Sequence, residues 1–168
     1  RDEVGNMSEQ AARFDQASKY FESVVERVGD SQWDNTTPCE EWNVRDLVNH
    51  VVVEQLWAPP LLEGKTIADI GTVFDGDQLG PEPKEAWKEA VLESRAWFAA
   101  PGAMERTVHL SYGDESATNY CDQMTLDALI HGWDLARAIS ADERLPDDLV
   151  EWAYTTFLPM QELLTGSG

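Results

Sequence analysis

Tyr120-Cys-Asp-Gln-Met124-Thr-Leu-Asp127-Ala-Leu-Ile-His131-Gly-Trp-Asp134-Leu-Ala-Arg-Ala138 reads as a helix with ionisable residues on its apolar face. Tyr120, Met124, Leu126, Leu129, Ile130, Trp133, Leu135, Ala136 and Ala138 recur at helical spacing, which predicts a long helix over about Ser116 to Ile139. Asp127 and His131 lie in the stripe of Met124 and Leu135, four residues apart, so their side chains stack one turn from each other on the inward face. A carboxylate in a core stripe is costly unless it is paired or coordinates a metal.

The neighbouring segments are helical too. Phe14, Ala17, Phe21, Val24, Val25 and Val28 give a helix over about Ser8 to Val28, capped by Ser8 and stopped by Gly29. After a loop over 30–42, Asn43 is a good N-cap for a second helix, with Asp46 at its N3 position and Val44, Leu47, Val48, Val51 and Val52 on its core face. Pro59-Pro60 should kink or end it near Trp57, leaving Leu61 and Leu62 to a further turn. Residues 64–82, rich in Gly and Asp, read as a surface loop. A third helix fits Lys84 to Ala100, and Arg106 to Tyr112 alternates like a strand, with Gly113 and Asp114 turning the chain after it. Pro146 opens a final helix running to about Leu164, with a kink at Pro159. Four or five helices and one short extended segment make an all-α bundle, a single domain over 1–168.

Composition agrees. The chain has 168 residues, one ordinary domain, and is 42% hydrophobic, which argues against disorder. Its net charge of -20 repels nucleic-acid backbones and anionic membranes, and its simplest meaning is solubility. The two cysteines, Cys39 and Cys121, are too few for a disulfide framework and read as reduced cytosolic thiols. No apolar run approaches the roughly 18 residues of a membrane span, and the charged start Arg1-Asp2-Glu3 leads to no signal-peptide core, so a cytoplasmic protein is expected. Seven tryptophans suggest a homodimer, because they exceed the apparent need of one core.

The chain's three histidines are His50, His109 and His131. His50 shares a stripe with Leu47, Glu54 and Trp57 on the second helix. Carboxylate and His one turn apart recur in metal sites of helical bundles, and a His from a facing helix would complete three ligands with an open position. On spacing alone two readings stand: a metal held by His50, Asp127 and His131, or satisfied core histidines with an ordinary carboxylate–imidazole pair. His109 reads as a partly exposed strand residue. Cys39 would have to fold back along the second helix to reach the same ion, because His50 lies roughly 10 Å along that helix from its cap. Asp134, three beyond His131, either orients a ligand or forms a salt bridge with Arg45 or Arg137. Glu54, four beyond His50, either serves as an acid or base or is solvated.

Two segments resemble a known family. Thr37-Pro-Cys-Glu followed by Trp42-Asn-Val-Arg-Asp-Leu-Val-Asn-His50, with Asp127-Ala-Leu-Ile-His131-Gly-Trp-Asp-Leu-Ala-Arg-Ala138, resembles the DinB-like superfamily, in its actinobacterial branch related to mycothiol-dependent maleylpyruvate isomerase. The resemblance implies a four-helix bundle with a divalent metal, zinc or nickel, on His50, Asp127 and His131. It also implies a low-molecular-weight thiol, mycothiol or bacillithiol, as cosubstrate of a transferase or isomerase acting on a small electrophile. Asp127 stands where the isomerase motif has Glu, and the isomerase carries a second, C-terminal domain for which this chain leaves no room. A non-catalytic metal-binding or stress-response module is the alternative.

Overall fold

The computed structural model describes residues 7–165, with side chains of the last helix described through residue 157. Helix α1 spans Glu9–Val25, α2 Val44–Glu63, α3 Ile67–Ile70, α4 Pro83–Ala99, α5 Ala117–Ala138 and α6 Asp147–Thr165. Between α4 and α5 lie a 3-10 turn at Ala103–Glu105 and an antiparallel hairpin, β1 Thr107–Leu110 with β2 Gly113–Ser116. The protein is all-α apart from that hairpin. Four long helices form the bundle: α1 packs on α5 and α4, and α2 packs on α4 and α5.

The helix starts follow local chemistry. Ser8 Oγ accepts from the Ala11 amide, and Ser116 Oγ accepts from the Asn119 amide. Asn43 and Asp46 form a reciprocal capping box at α2, as do Thr66 and Asp69 at α3, a short helix inside the stretch expected to be loop. The extended segment does form β1, but the chain reverses at Ser111 and Tyr112. Gly113 and Asp114 already belong to β2, opposite Leu110 and His109.

Helix α2 departs most from expectation. It does not end near Trp57 but continues through Pro59 and Pro60 to Glu63. Two prolines remove two amide donors and cost about 3 kcal/mol or more each. The turns they occupy bury Ala58, Pro59, Leu61 and Leu62 against Ile70, Phe98 and Tyr120, and each buried leucine returns about 1.5–3 kcal/mol. Tertiary burial thus carries the helix past its own breakers. Gly64, at φ 107°, then closes it with the Gly64 amide donating to the Leu61 carbonyl and the Lys65 amide to the Pro60 carbonyl. The expected kink at Pro159 falls where side chains lie outside the described residues.

Two contacts set the height of α5 in the bundle. Gly132 lets α1 approach, since the Tyr20 ring occupies the space a Cβ would take. Asn35 Nδ2 and Gln32 Nε2 donate to the carbonyls of Ala138 and Ile139, binding the α1–α2 loop to the C-terminal end of α5. Between α2 and α4, Ser94 Oγ donates to Gln55 Oε1 at 2.7 Å, with both residues at most 1% exposed.

Ser94→Ala should therefore destabilise the protein by about 1–3 kcal/mol, because it strands the Gln55 amide oxygen in the core. Thermal melting should show a Tm lower by roughly 2–4 °C per kcal/mol, and an unchanged Tm would contradict the role given to this bond.

Candidate metal centre and its pocket

His50 sits on the second turn of α2, while Asp127 and His131 occupy successive turns of α5. The packing of α2 against α5 brings one donor atom from each of the three residues within 4.8 Å of the others. His131 Nε2 lies 3.2 Å from Asp127 Oδ1, and the imidazoles of His50 and His131 meet nearly edge to face at 5.1 Å. Trp42 covers both rings, with centroid separations of 4.5 Å to His50 and 5.8 Å to His131.

Glu54 joins this group, its Oε1 3.0 Å from His50 Nε2. Burial, and next a proton shared with the Asp127 carboxylate, push the Glu54 carboxyl up to about 10. Burial also works against ionisation of Asp127, but the His131 imidazole and the Glu54 proton outweigh it and hold Asp127 below the usual carboxylate range. For His131, burial opposes the charge, yet Asp127 and then Glu54 prevail and its pKa is raised. His50 is lowered, chiefly by burial, with Asp127 in partial opposition. The metal-free cluster therefore holds a protonated Glu54 and an ionised Asp127 at neutral pH, with His131 shifted toward its protonated form.

The donors fit a divalent ion. Bonds of about 2.0–2.1 Å at tetrahedral angles set nitrogen and oxygen ligands roughly 3.3 Å apart, close to the Asp127–His131 separation. Asp127 Oδ2 is buried and has no hydrogen-bond partner, a costly arrangement that a cation would relieve. Two imidazoles and a carboxylate suit zinc or nickel and leave coordination positions free.

Cys39 does not join the group of His50, Asp127 and His131, but Cys39, His131 and Asp134 form a second group with donor atoms within 4.8 Å of one another. The loop does fold back. Thr36 bridges Asn43, Thr37 Oγ1 donates to the Cys39 and Trp42 carbonyls, and the Cys39 amide donates to Thr37 Oγ1. The Cys39 thiol lies 3.4 Å from Asp134 Oδ2, and burial, followed by this bond, raises its pKa. Asp134, 7% exposed, faces His131 Nδ1 at 3.6 Å, beyond hydrogen-bonding distance, and that nitrogen is buried without a partner. Neither arginine considered for Asp134 reaches it. Arg45 pairs with Asp77, and Arg137 pairs with Glu143.

His109 lies elsewhere, on β1, paired with Asp114 at 2.6 Å. Both cysteines are free. The sequence reading missed Trp42 as a lid over the imidazoles, although its place one residue before the α2 cap, in a loop bracketed by Thr37 and Asn43, was a usable signal. It also took Tyr120 and Met124 for core alone. Both line a cavity of about 500 Å³ that starts at His50 and Asp127 and runs between α2 and α5.

No described helix is long and apolar enough to cross a membrane. Two uncharacterized proteins of Mycobacterium tuberculosis, from two strains, are similar to this chain. Each is 32% identical over 137 residues, which cover 79% of this chain and 69% of the relative. No solved structure matches the chain significantly. The family described as mycothiol maleylpyruvate isomerase N-terminal domain matches residues 14–136, a span from α1 to the end of α5 that contains His50, Glu54, Asp127, His131 and Asp134. The chain belongs to the family of mycothiol maleylpyruvate isomerase N-terminal domains.

Proposed function

We propose that this protein holds one divalent metal on His50, Asp127 and His131 and acts as a mycothiol- or related thiol-dependent transferase or isomerase on a small electrophile. The observation that carries this reading is the convergence of the three donors, two of which, His50 and Asp127, line the cavity, with a buried, unpartnered oxygen on Asp127. Membership in a family named for a mycothiol-dependent isomerase supports the thiol.

A bound divalent ion would lower the pKa of a thiol presented to it, so that the thiol enters the reaction as thiolate. The protein's own groups do the rest. Trp42 shields the imidazoles from water on one side, and the cavity walls hold the electrophile on the other. Sulfur adds to the electrophilic carbon, forming a C–S bond while a π pair moves to the neighbouring atom. Glu54, 3.0 Å from His50, is the carboxyl placed to deliver the proton that this atom needs and to recover one from the incoming thiol. A carboxyl raised by burial keeps the proton that an ordinary Glu would already have lost. Reversal of the addition after rotation gives an isomerase, and retention of the C–S bond gives a transferase.

Asp134 serves as a positioning residue. Its carboxylate faces the His131 nitrogen turned away from Asp127, and the Cys39 thiol holds it in place.

Purified protein should contain about one zinc or nickel per chain. His50→Ala should abolish stoichiometric uptake, and chelation should lower the Tm of the unmodified protein. Free metal at a hundred times Kd adds about 2.7 kcal/mol, or roughly 5–10 °C here. Metal uptake unchanged in His50→Ala would refute the ligand set.

Zinc affinity should rise with pH between about 6 and 8. The ion competes with the proton on His131, whose pKa is raised, so affinity is lost as pH falls through that value, by up to about tenfold per unit below it. Titrations at the two pH limits giving equal Kd would exclude His131 as a ligand.

Asp134→Asn should weaken zinc binding by about 10- to 100-fold while the metal-free protein keeps its circular dichroism spectrum. An unchanged Kd would reduce Asp134 to a purely structural partner of Cys39.

A further inference from the structure

The cavity is built from two facing helical stripes. On α2, His50, Glu54, Trp57 and Leu61 follow one another turn by turn, and on α5, Asp127, Met124 and Tyr120 do the same in the opposite direction. Both stripes change character along their length: ionisable donors at one end give way to apolar and aromatic side chains toward Leu61 and Tyr120. Ile67 of α3 closes the far wall, and Trp57 is steadied by an edge-on contact with Phe74 at 6.0 Å. Helix α2 reaches Leu61 only because it continues through Pro59 and Pro60, so the apolar half of the cavity depends on that continuation.

Among the described residues, no Lys or Arg lines this space. The polar groups of the apolar half are the Tyr120 phenol, kept neutral by burial, and the Gln123 amide, whose Nε2 already donates to Tyr112 Oη at 2.8 Å. The cavity is open along one side, where Ile67 and Gln123 are exposed, but a carboxylate seated against its apolar wall would give up part of its hydration with no cation to replace it, and one neutral hydrogen bond returns only about 1 kcal/mol. The overall charge of -20 adds to the opposition. A carboxylate could find a cation only at the metal itself, in the position the thiol requires. Burial of an apolar body against Trp57, Leu61, Ile67 and Met124 is favourable at roughly 25 cal/mol per Å².

We propose that the electrophile taken by this site is an uncharged molecule with an aromatic or aliphatic body, seated against Trp57, Leu61, Ile67 and Met124 with its reactive atom toward His50 and Asp127. This rests on the metal- and thiol-dependent reading for the chemistry, but not for the charge preference of the pocket.

Calorimetric titration of 2-naphthamide and 2-naphthoate, which share one body and differ in charge, tests the proposal on metal-free protein and on zinc-loaded protein saturated with 2-mercaptoethanol, whose sulfur takes the position on the metal that a carboxylate could otherwise occupy. The amide should bind at least tenfold more tightly than the carboxylate in both states. Trp57→Ala should weaken amide binding at least tenfold. Gln123→Arg, a change at an exposed position that leaves the core intact, should bring the naphthoate to parity with the amide or better. Equal or tighter naphthoate binding by the unmodified protein in either state, no detectable binding of either probe at millimolar concentration, or a Gln123→Arg variant without gained naphthoate affinity would each overturn the proposal. A protein that takes up no zinc yet keeps the amide preference would sink the metal reading and leave the neutral pocket standing. One that takes up zinc but prefers naphthoate would do the reverse.

Discussion

Two imidazoles and two carboxyl groups share the space between α2 and α5, partly removed from water, and the rest of the molecule accommodates that constraint. Ionisable groups in such a place must share protons, pair with one another or hold a cation. Without an ion the cluster takes the first two routes. Glu54 keeps its proton far above the usual carboxylate range, Asp127 stays ionised beside His131, and one Asp127 oxygen is left with nothing to bond. His131 meets only one Asp127 oxygen, and the other is open to a cation.

Much of the fold can be read as support for this meeting point. Gly132 admits the Tyr20 ring and fixes how closely α1 and α5 approach, directly beside His131. The α1–α2 loop is tied to the last carbonyls of α5 through Gln32 and Asn35. The same loop carries Trp42 over the imidazoles and Cys39 to Asp134. Unpaired carbonyls at a helix end need donors, and here the donors come from the segment that closes one side of the site. On the opposite side the proline-bearing turns of α2 build the apolar wall of the cavity.

The division of the cavity into an ionisable end and an apolar end gives its two halves different tasks. Charge-assisted chemistry is confined to His50, Glu54, Asp127 and His131, where burial and mutual contact shift proton affinities. Binding of an organic body falls to Trp57, Leu61, Ile67 and Met124, which contribute area and exclude water. The family is named for a mycothiol-dependent isomerase, and in the proposed function the thiol meets the first half. The absence of lysine and arginine along the described walls limits what the second half accepts.

The bundle was legible in the sequence because helical periodicity, Ser, Thr and Asn caps and Gly or Pro stops are local properties, written within a few residues of where they act. The pairing of Asp127 with His131 was legible for the same reason, since one turn of helix dictates it, and the inward stripe of His50 followed from its own helix. Which faces meet is a different kind of fact. Whether His50 looks at His131 depends on how α2 crosses α5, which is set by the packing of α5 against α1 and of α2 against α4. The passage of α2 through Pro59 and Pro60 ran against the local rule, because burial of Ala58, Pro59, Leu61 and Leu62 together offsets a cost that local rules count alone. Cys39 looked remote when distance was measured along the helix from Asn43, yet it lies beside Asp134, because long-range hydrogen bonds from its loop to α5 fold it back. By itself the sequence determined the helices and the two donors that share one turn. The tertiary structure decided the third donor, the lid and the pocket, since these come from contacts between segments far apart in the chain, and their energies come from burial that no single segment can achieve.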